Sequence, residues 1–254
     1  MNLENKINEF NKFVGKYDLE YPKMRRKLEH SYRVMSNADK ITKSLNLSEK
    51  EIEIANIIGL LHDIGHFETI KVNDILKDNK KIDHGDLGVE ILENNNYIRK
   101  FVEDDKYDNI ILKAIKNHNK FKIEEGLSKQ ELLFAKIIRD ADKLDIFYEG
   151  TEMFWTKPEE IEELNKSKVT DKVFDAFKNN CLIDRKNIET KADGIISFIG
   201  FIFDINFKYD FQVIKNENYI NRILDKFDFR NEITATQMTK VRQYANEYIE
   251  RQYA

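Results

Sequence analysis

Four of the five histidines in this chain stand at one end of an apolar stripe with helical spacing, and that placement constrains the fold more than any other feature. Ile52, Ala55, Gly59 and His62 recur at intervals of three, four and three, so His62 continues a buried helix face. Asp63 follows about 100° round the helix, where an adjacent pair can converge on one ion. His30 leads Val34, Ala38, Ile41 and Leu45 along one face, and Ile111, Ala114 and Ile115 lead to His118. His84 opens a segment whose inner positions are Leu87, Gly88 and Ile91, while Ala135, Ile138, Asp142 and Asp145 share a further stripe. Burying so many polar groups is costly unless they share a partner, and a metal ion is such a partner. Taken singly, each has an ordinary reading: a satisfied core histidine for His30, a salt bridge to Arg139 or Lys143 for Asp142, an exposed helix start for His84. The fifth histidine, His66, follows a glycine and belongs to no stripe; it reads as a residue at the edge of a site or on the surface.

The rest of the chain agrees with a helical fold. Nine glycines and two prolines interrupt 254 residues rich in Lys, Glu, Asn and Ile, a composition that favours helix over strand. The spacing predicts helices over 23–45, with Pro22 at the entry, and from a capping box at Ser48 and Glu51 to about His62, ending near Gly65. Residues 66–82 read as irregular or as a short helix. Further helices are expected from His84, capped by Asp83, to about Asn94, over 106–117, and from a second capping box at Ser128 and Glu131 to about Gly150. Beyond Thr151 the pattern stays helical but lacks histidine; 193–207 reads as a buried helix and 233–252 as an amphipathic one that leaves homo-oligomerisation open. The expected architecture is all-α, a compact bundle over 1–150 that carries the chemistry and a helical appendage over 151–254 packed on it.

Charge and cysteine content exclude several classes. The net charge is −4 with both signs interspersed, so no nucleic-acid grip is indicated. The single cysteine, Cys181, permits no intramolecular disulfide and no cysteine-based zinc site. The first residues lack the apolar core of a signal peptide, and the longest apolar run, 195–203, is too short to span a bilayer. A cytoplasmic protein without a membrane partner is expected.

The lone His30, the string His62-Asp63-Ile64-Gly65 and the string Ala141-Asp142-Lys143-Leu144-Asp145, in this order, resemble the HD-domain superfamily of metal-dependent phosphohydrolases over about residues 20–150. The resemblance implies a bundle of roughly five core helices and a metal site of His30, His62, Asp63 and Asp142. His84 and His118 match the additional histidines of members with two ions, with Asp63 as the bridge. The chain departs from the cyclic-dinucleotide-hydrolysing branch, because His66 replaces the lysine that follows the His-Asp-Ile-Gly string there and the Gly-Tyr-Pro signature is absent. Imidazoles with carboxylates suit two ions of Mn²⁺, Fe²⁺, Co²⁺, Ni²⁺ or Zn²⁺ better than Ca²⁺. The function expected is hydrolysis of a phosphoester or phosphoanhydride of a nucleotide or small phosphorylated metabolite by metal-held hydroxide. Arg33, Asn119, Lys120 and Lys143 are candidates to grip the substrate, Asp63, His66 and Lys143 to take part in catalysis (His66 by protonating a leaving oxygen), and Asp145 to orient a ligand histidine. A di-iron oxygenase of the same helical type and a non-catalytic, metal-stabilised nucleotide-binding module are the competing expectations.

Overall fold

The computed structural model describes residues 2–76 and 82–253, and among these residues it contains helices and turns but no strand. The chain divides into two compact units, Met1–Asp145 and Ile146–Ala254.

In the first unit α1 (Leu3–Val14) and α2 (Pro22–Ser44) precede α3 (Glu49–Leu61), α4 (Ile64–Leu76), α5 (His84–Glu93), α6 (Asp108–Asn117) and the start of α7 (Lys129–Glu152), inside which the division falls. Local chemistry sets the ends of these helices. Pro22 occupies the first turn of α2, where its missing N–H costs nothing. Ser48 and Glu51 form both arms of a capping box on α3. Asp83 accepts from the Gly85 and Asp86 N–H groups at 2.9 and 3.1 Å and so caps α5. At α7 the Ser128 N–H donates to Glu131 at 2.7 Å, and the Glu131 N–H donates back to Ser128 Oγ at 3.2 Å.

Two glycines then determine how closely the helices approach. At Gly59 a Cβ would stand 2.7 Å from Met35 Cα, so α3 lies against the α2 backbone. At Gly65 a Cβ would meet His84 O at 2.3 Å and Gly88 N at 2.6 Å, so α4 lies against α5. Only a residue without a side chain permits either approach. The first contact carries His62 toward His30; the second carries Asp63 toward His84.

Gly65 is therefore no helix stop. Expected to end α3, it sits near the start of α4, whose residues 66–76 fall in the segment 66–82 read as irregular or shortly helical. Its role is tertiary, and local sequence rules cannot show it. Residues 77–81 of that segment lie outside the described residues. Nor is 193–207 one helix: α10 (Lys191–Ile199) gives way to a 3₁₀ turn over Gly200–Asp204.

The second unit contains α8 (Pro158–Lys166), α9 (Asp171–Lys178), α10, α11 (Lys208–Asn216), α12 (Tyr219–Leu224) and α13 (Glu232–Tyr253). Aromatic rings supply much of its core. Phe198 meets Phe147, Phe154 and Trp155 edge to face, and Phe203 meets Phe177 and Tyr248 in the same way. Trp155 has a φ of 52°, a left-handed turn that follows the end of α7. No helix among the described residues is long and apolar enough to cross a membrane.

Candidate metal centre

Four of the six expected ligands are buried, and the ligand atoms of all six converge from five helices or helix ends. His30 projects from α2, His62 and Asp63 from the turn between α3 and α4, His84 from the first position of α5, His118 from the end of α6 and Asp142 from α7. His30, His62, Asp63 and His118 are no more than 4 % exposed, Asp142 is half-buried, and His84 is 26 % exposed at its side chain.

Asp63 is the hub. Its Oδ2 lies 3.4 Å from His30 Nε2 and 3.5 Å from His62 Nε2. Its Oδ1 lies 3.4 Å from His84 Nε2 and 3.5 Å from His118 Nε2. Each oxygen thus faces its own pair of imidazoles. The ligand atoms of His30, His62 and Asp63 lie within 4.8 Å of one another, and so do those of Asp63, His84 and His118. Asp142 joins the first group, with Oδ1 3.1 Å from His30 Nε2 and 3.8 Å from His62 Nε2.

The outward nitrogens show what the inward ones are for. His62 Nδ1 donates to Gly59 O at 2.8 Å, His118 Nδ1 to Ile115 O at 2.6 Å and His30 Nδ1 to Asp145 Oδ2 at 2.6 Å. Oxygens of this kind only accept, so in the neutral rings Nε2 keeps its lone pair. Yet His30 and His62 Nε2 approach to 3.2 Å, as do His84 and His118 Nε2. In the metal-free protein a proton on His30 Nε2 and one on His84 Nε2 bridge these two pairs, and a cation can take their place. The donor set, imidazole nitrogen with carboxylate oxygen, fits a divalent transition metal.

The charges respond accordingly. Burial opposes ionisation of Asp63, but Lys27 and His62 outweigh it and hold the carboxyl well below the usual carboxylate range. Burial and Lys27 push the His30 imidazole down, while Asp142 and Asp145 hold it at about 9. His84 is brought down to about 3, chiefly by burial.

The other candidates are placed differently from one another. Arg33 turns to Asp145, with Nε 2.6 Å from Oδ1 and Nη2 3.0 Å from Oδ2, and so steadies the carboxylate that orients His30. Asn119 donates to Asp83 Oδ1 at 2.9 Å, and Lys120 pairs with Asp83 and Asp86 at 2.7 and 2.8 Å; both are tied to the cap of α5. Lys143 is 6 % exposed and donates to Arg139 O at 3.3 Å. Arg33, Asn119 and Lys120 thus have carboxylate partners at or beside the centre, and Lys143 a backbone carbonyl of its own helix. The His66 ring lies 4.6 Å from that of His84, so all five histidines gather here. Burial lowers its imidazole below the ordinary histidine value.

Two residues at the centre were not among the expected site residues, although Arg139 was considered as an ion-pair partner of Asp142. Lys27 Nζ stands 2.7 Å from Asp63 Oδ2. The signal was its position three residues before His30, on the same helix face. Arg139, 3 % exposed, donates to the carbonyls of Asn117, His118 and Lys120 at 2.8, 3.3 and 2.6 Å, closing the end of α6 and fixing His118. No signal in the sequence distinguishes it from an ordinary helix arginine.

No curated protein and no solved structure matches this chain. A family model does: residues 28–146 match the HD domain, a superfamily that includes metal-dependent phosphohydrolases and whose members commonly bind divalent metal. The match and the His/Asp cluster agree: residues 28–146 carry an HD domain whose His and Asp side chains fit its metal site.

Proposed function

We propose that the protein is a metal-dependent phosphohydrolase that cleaves a phosphoester or phosphoanhydride of a nucleotide or small phosphorylated metabolite. The observation that carries this reading is the division of Asp63: one oxygen toward His30 and His62, the other toward His84 and His118. That division suits two ions a few ångströms apart, of the Mn²⁺, Fe²⁺, Co²⁺, Ni²⁺ or Zn²⁺ type. A bound pair supplies neutralisation of phosphate charge and a water acidic enough to act as nucleophile near neutral pH.

The chain's own groups supply the rest. Asp63 links the two halves. Asp142 adds a carboxylate to the first half, and the half-buried His84 leaves the second half nearer solvent. Asp145, clasped by Arg33, holds the His30 proton on Nδ1 so that Nε2 faces inward. The Gly59 and Ile115 carbonyls do the same for His62 and His118. His66 borders the His84 side, where it can accept or donate a hydrogen bond to a substrate oxygen.

The test is elemental analysis of the purified protein followed by a phosphate-release screen over nucleotides with Mn²⁺, Fe²⁺ and Co²⁺. Phosphate release that disappears in His62→Ala and Asp63→Ala supports the proposal. Full turnover by either variant at matched metal loading overturns it. Substrate-dependent oxygen uptake without phosphate release would replace it with an oxygenase.

A further inference from the structure

Lys27 is a cationic side chain in contact with the bridging carboxylate. Its ammonium stands 2.7 Å from Asp63 Oδ2, the same oxygen that faces His30 and His62, and its side chain is 17 % exposed against 3 % for Asp63. It therefore reaches the centre from the solvent side, on a four-carbon stem that can turn. Other cations nearby are partnered elsewhere: Arg33 on Asp145, Lys120 on Asp83 and Asp86, Lys143 on the Arg139 carbonyl.

Two consequences follow. A buried carboxylate without a counter-charge is costly, and in the protein alone Lys27 provides that charge. A divalent ion that binds His30, His62 and Asp63 must then share Oδ2 with an ammonium, or displace it, and either works against the ion. A lysine pushed off its carboxylate at the mouth of a cationic centre becomes a ready partner for an anion.

We propose that Lys27 exchanges partners: it holds Asp63 in the metal-free protein, yields that oxygen to the divalent ion, and then binds a non-bridging oxygen of the substrate phosphate on the His30–His62 side. The phosphate identity of the anion rests on the phosphohydrolase reading; the exchange does not.

The two halves have opposite signs, and this separates them from a structural role, which would weaken both. Mn²⁺ is titrated calorimetrically into metal-free wild type and Lys27→Met, and inorganic phosphate into the Mn²⁺-loaded proteins. Lys27→Met is expected to bind Mn²⁺ about tenfold more tightly and phosphate about tenfold more weakly. Lys27→Arg, which keeps the charge, should stay within a few-fold of wild type in both, and Lys27→Gln replaces the Met variant should that fail to fold. Mn²⁺ binding that is unchanged or weaker overturns the exchange. Unchanged phosphate binding overturns the anion role. Neither measurement involves turnover, so a protein that releases no phosphate from any nucleotide would end the hydrolase reading and leave both titrations to be judged. Wild type that takes up no Mn²⁺ ends the metal centre and the exchange together.

Discussion

Two buried aspartates, one in each unit, show why burial by itself does not mark a site. Asp193 is fully buried in the second unit and is answered on the spot. It accepts from the Thr170, Glu189 and Thr190 N–H groups at 2.8, 3.2 and 3.2 Å and from the Thr170 hydroxyl, and it completes the capping box of α10. Every partner is a donor, so the charge is satisfied by the fold. Asp63, 2 % exposed, accepts from Lys27 Nζ and faces four imidazole nitrogens, of which at least two, those of His62 and His118, belong to rings that donate their Nδ1–H to a backbone carbonyl. Apart from Lys27, what it faces is a set of nitrogens of the kind that ligate a metal. The lesson is to count donors and acceptors around a buried charge: a balanced set is structure, and a surplus of acceptors is a binding site.

Substituting the two residues gives the largest contrast. Asp63→Ala should lose its metal, read as metal content falling to background with far-UV helicity retained; wild-type metal content would break the comparison. Asp193→Ala should keep full metal content while losing about 3 kcal/mol of stability in urea, because several buried N–H groups lose a charged acceptor. An unchanged midpoint would show that those bonds contribute nothing net.

Smaller changes sharpen the difference. Gly65→Ala forces apart the backbones of α4 and α5, which should cost about 2 kcal/mol and reduce metal stoichiometry on the His84 side first. Equal loss from both halves would mean that the two are built as one. Arg33→Ala leaves all ligands in place but loosens Asp145; about a tenfold loss of Mn²⁺ affinity is expected, and no loss would make the Arg33–Asp145 pair mere surface chemistry.

The least effect lies at a pair remote from either aspartate. Lys6, 1 % exposed, pairs with Glu53; burial raises the Glu53 carboxyl, but Lys6 and Lys50 outweigh it and hold it below its ordinary 4.5. A depressed carboxyl stabilises the fold above its unfolded value, and that contribution fades as pH falls through the folded value. Thermal melts between pH 6 and 3 should show Lys6→Met losing less on acidification than wild type, by under about 1 kcal/mol because Glu53 is a third exposed. Parallel curves would deny the pair any role.

What the sequence revealed depended on whether the relevant signal was local. The stripes ending in His62 and His118 follow from helix periodicity, and so did their approach to a common point once His30 and Asp142 lay on buried faces of their own. The capping boxes at Ser48 and Ser128 were equally legible, being contained within four residues. The polar partners of Arg33, Asn119 and Lys120 were not: each is a carboxylate on another segment, Asp145 or Asp83, between 36 and 112 positions away. Lys27 escaped notice for the same reason, since its partner Asp63 is 36 positions distant. Helix α4 was obscured by Gly65, which looks like a terminator to any rule that sees only neighbours along the chain.

That glycine and Gly59 have a practical consequence. Neither carries an atom that could bind, donate or react, yet each sets the spacing that lets chemistry happen two or three residues away. A hunt for essential positions guided by reactive groups would pass over both. An unbiased substitution scan should find them as intolerant as the histidines whose approach they permit.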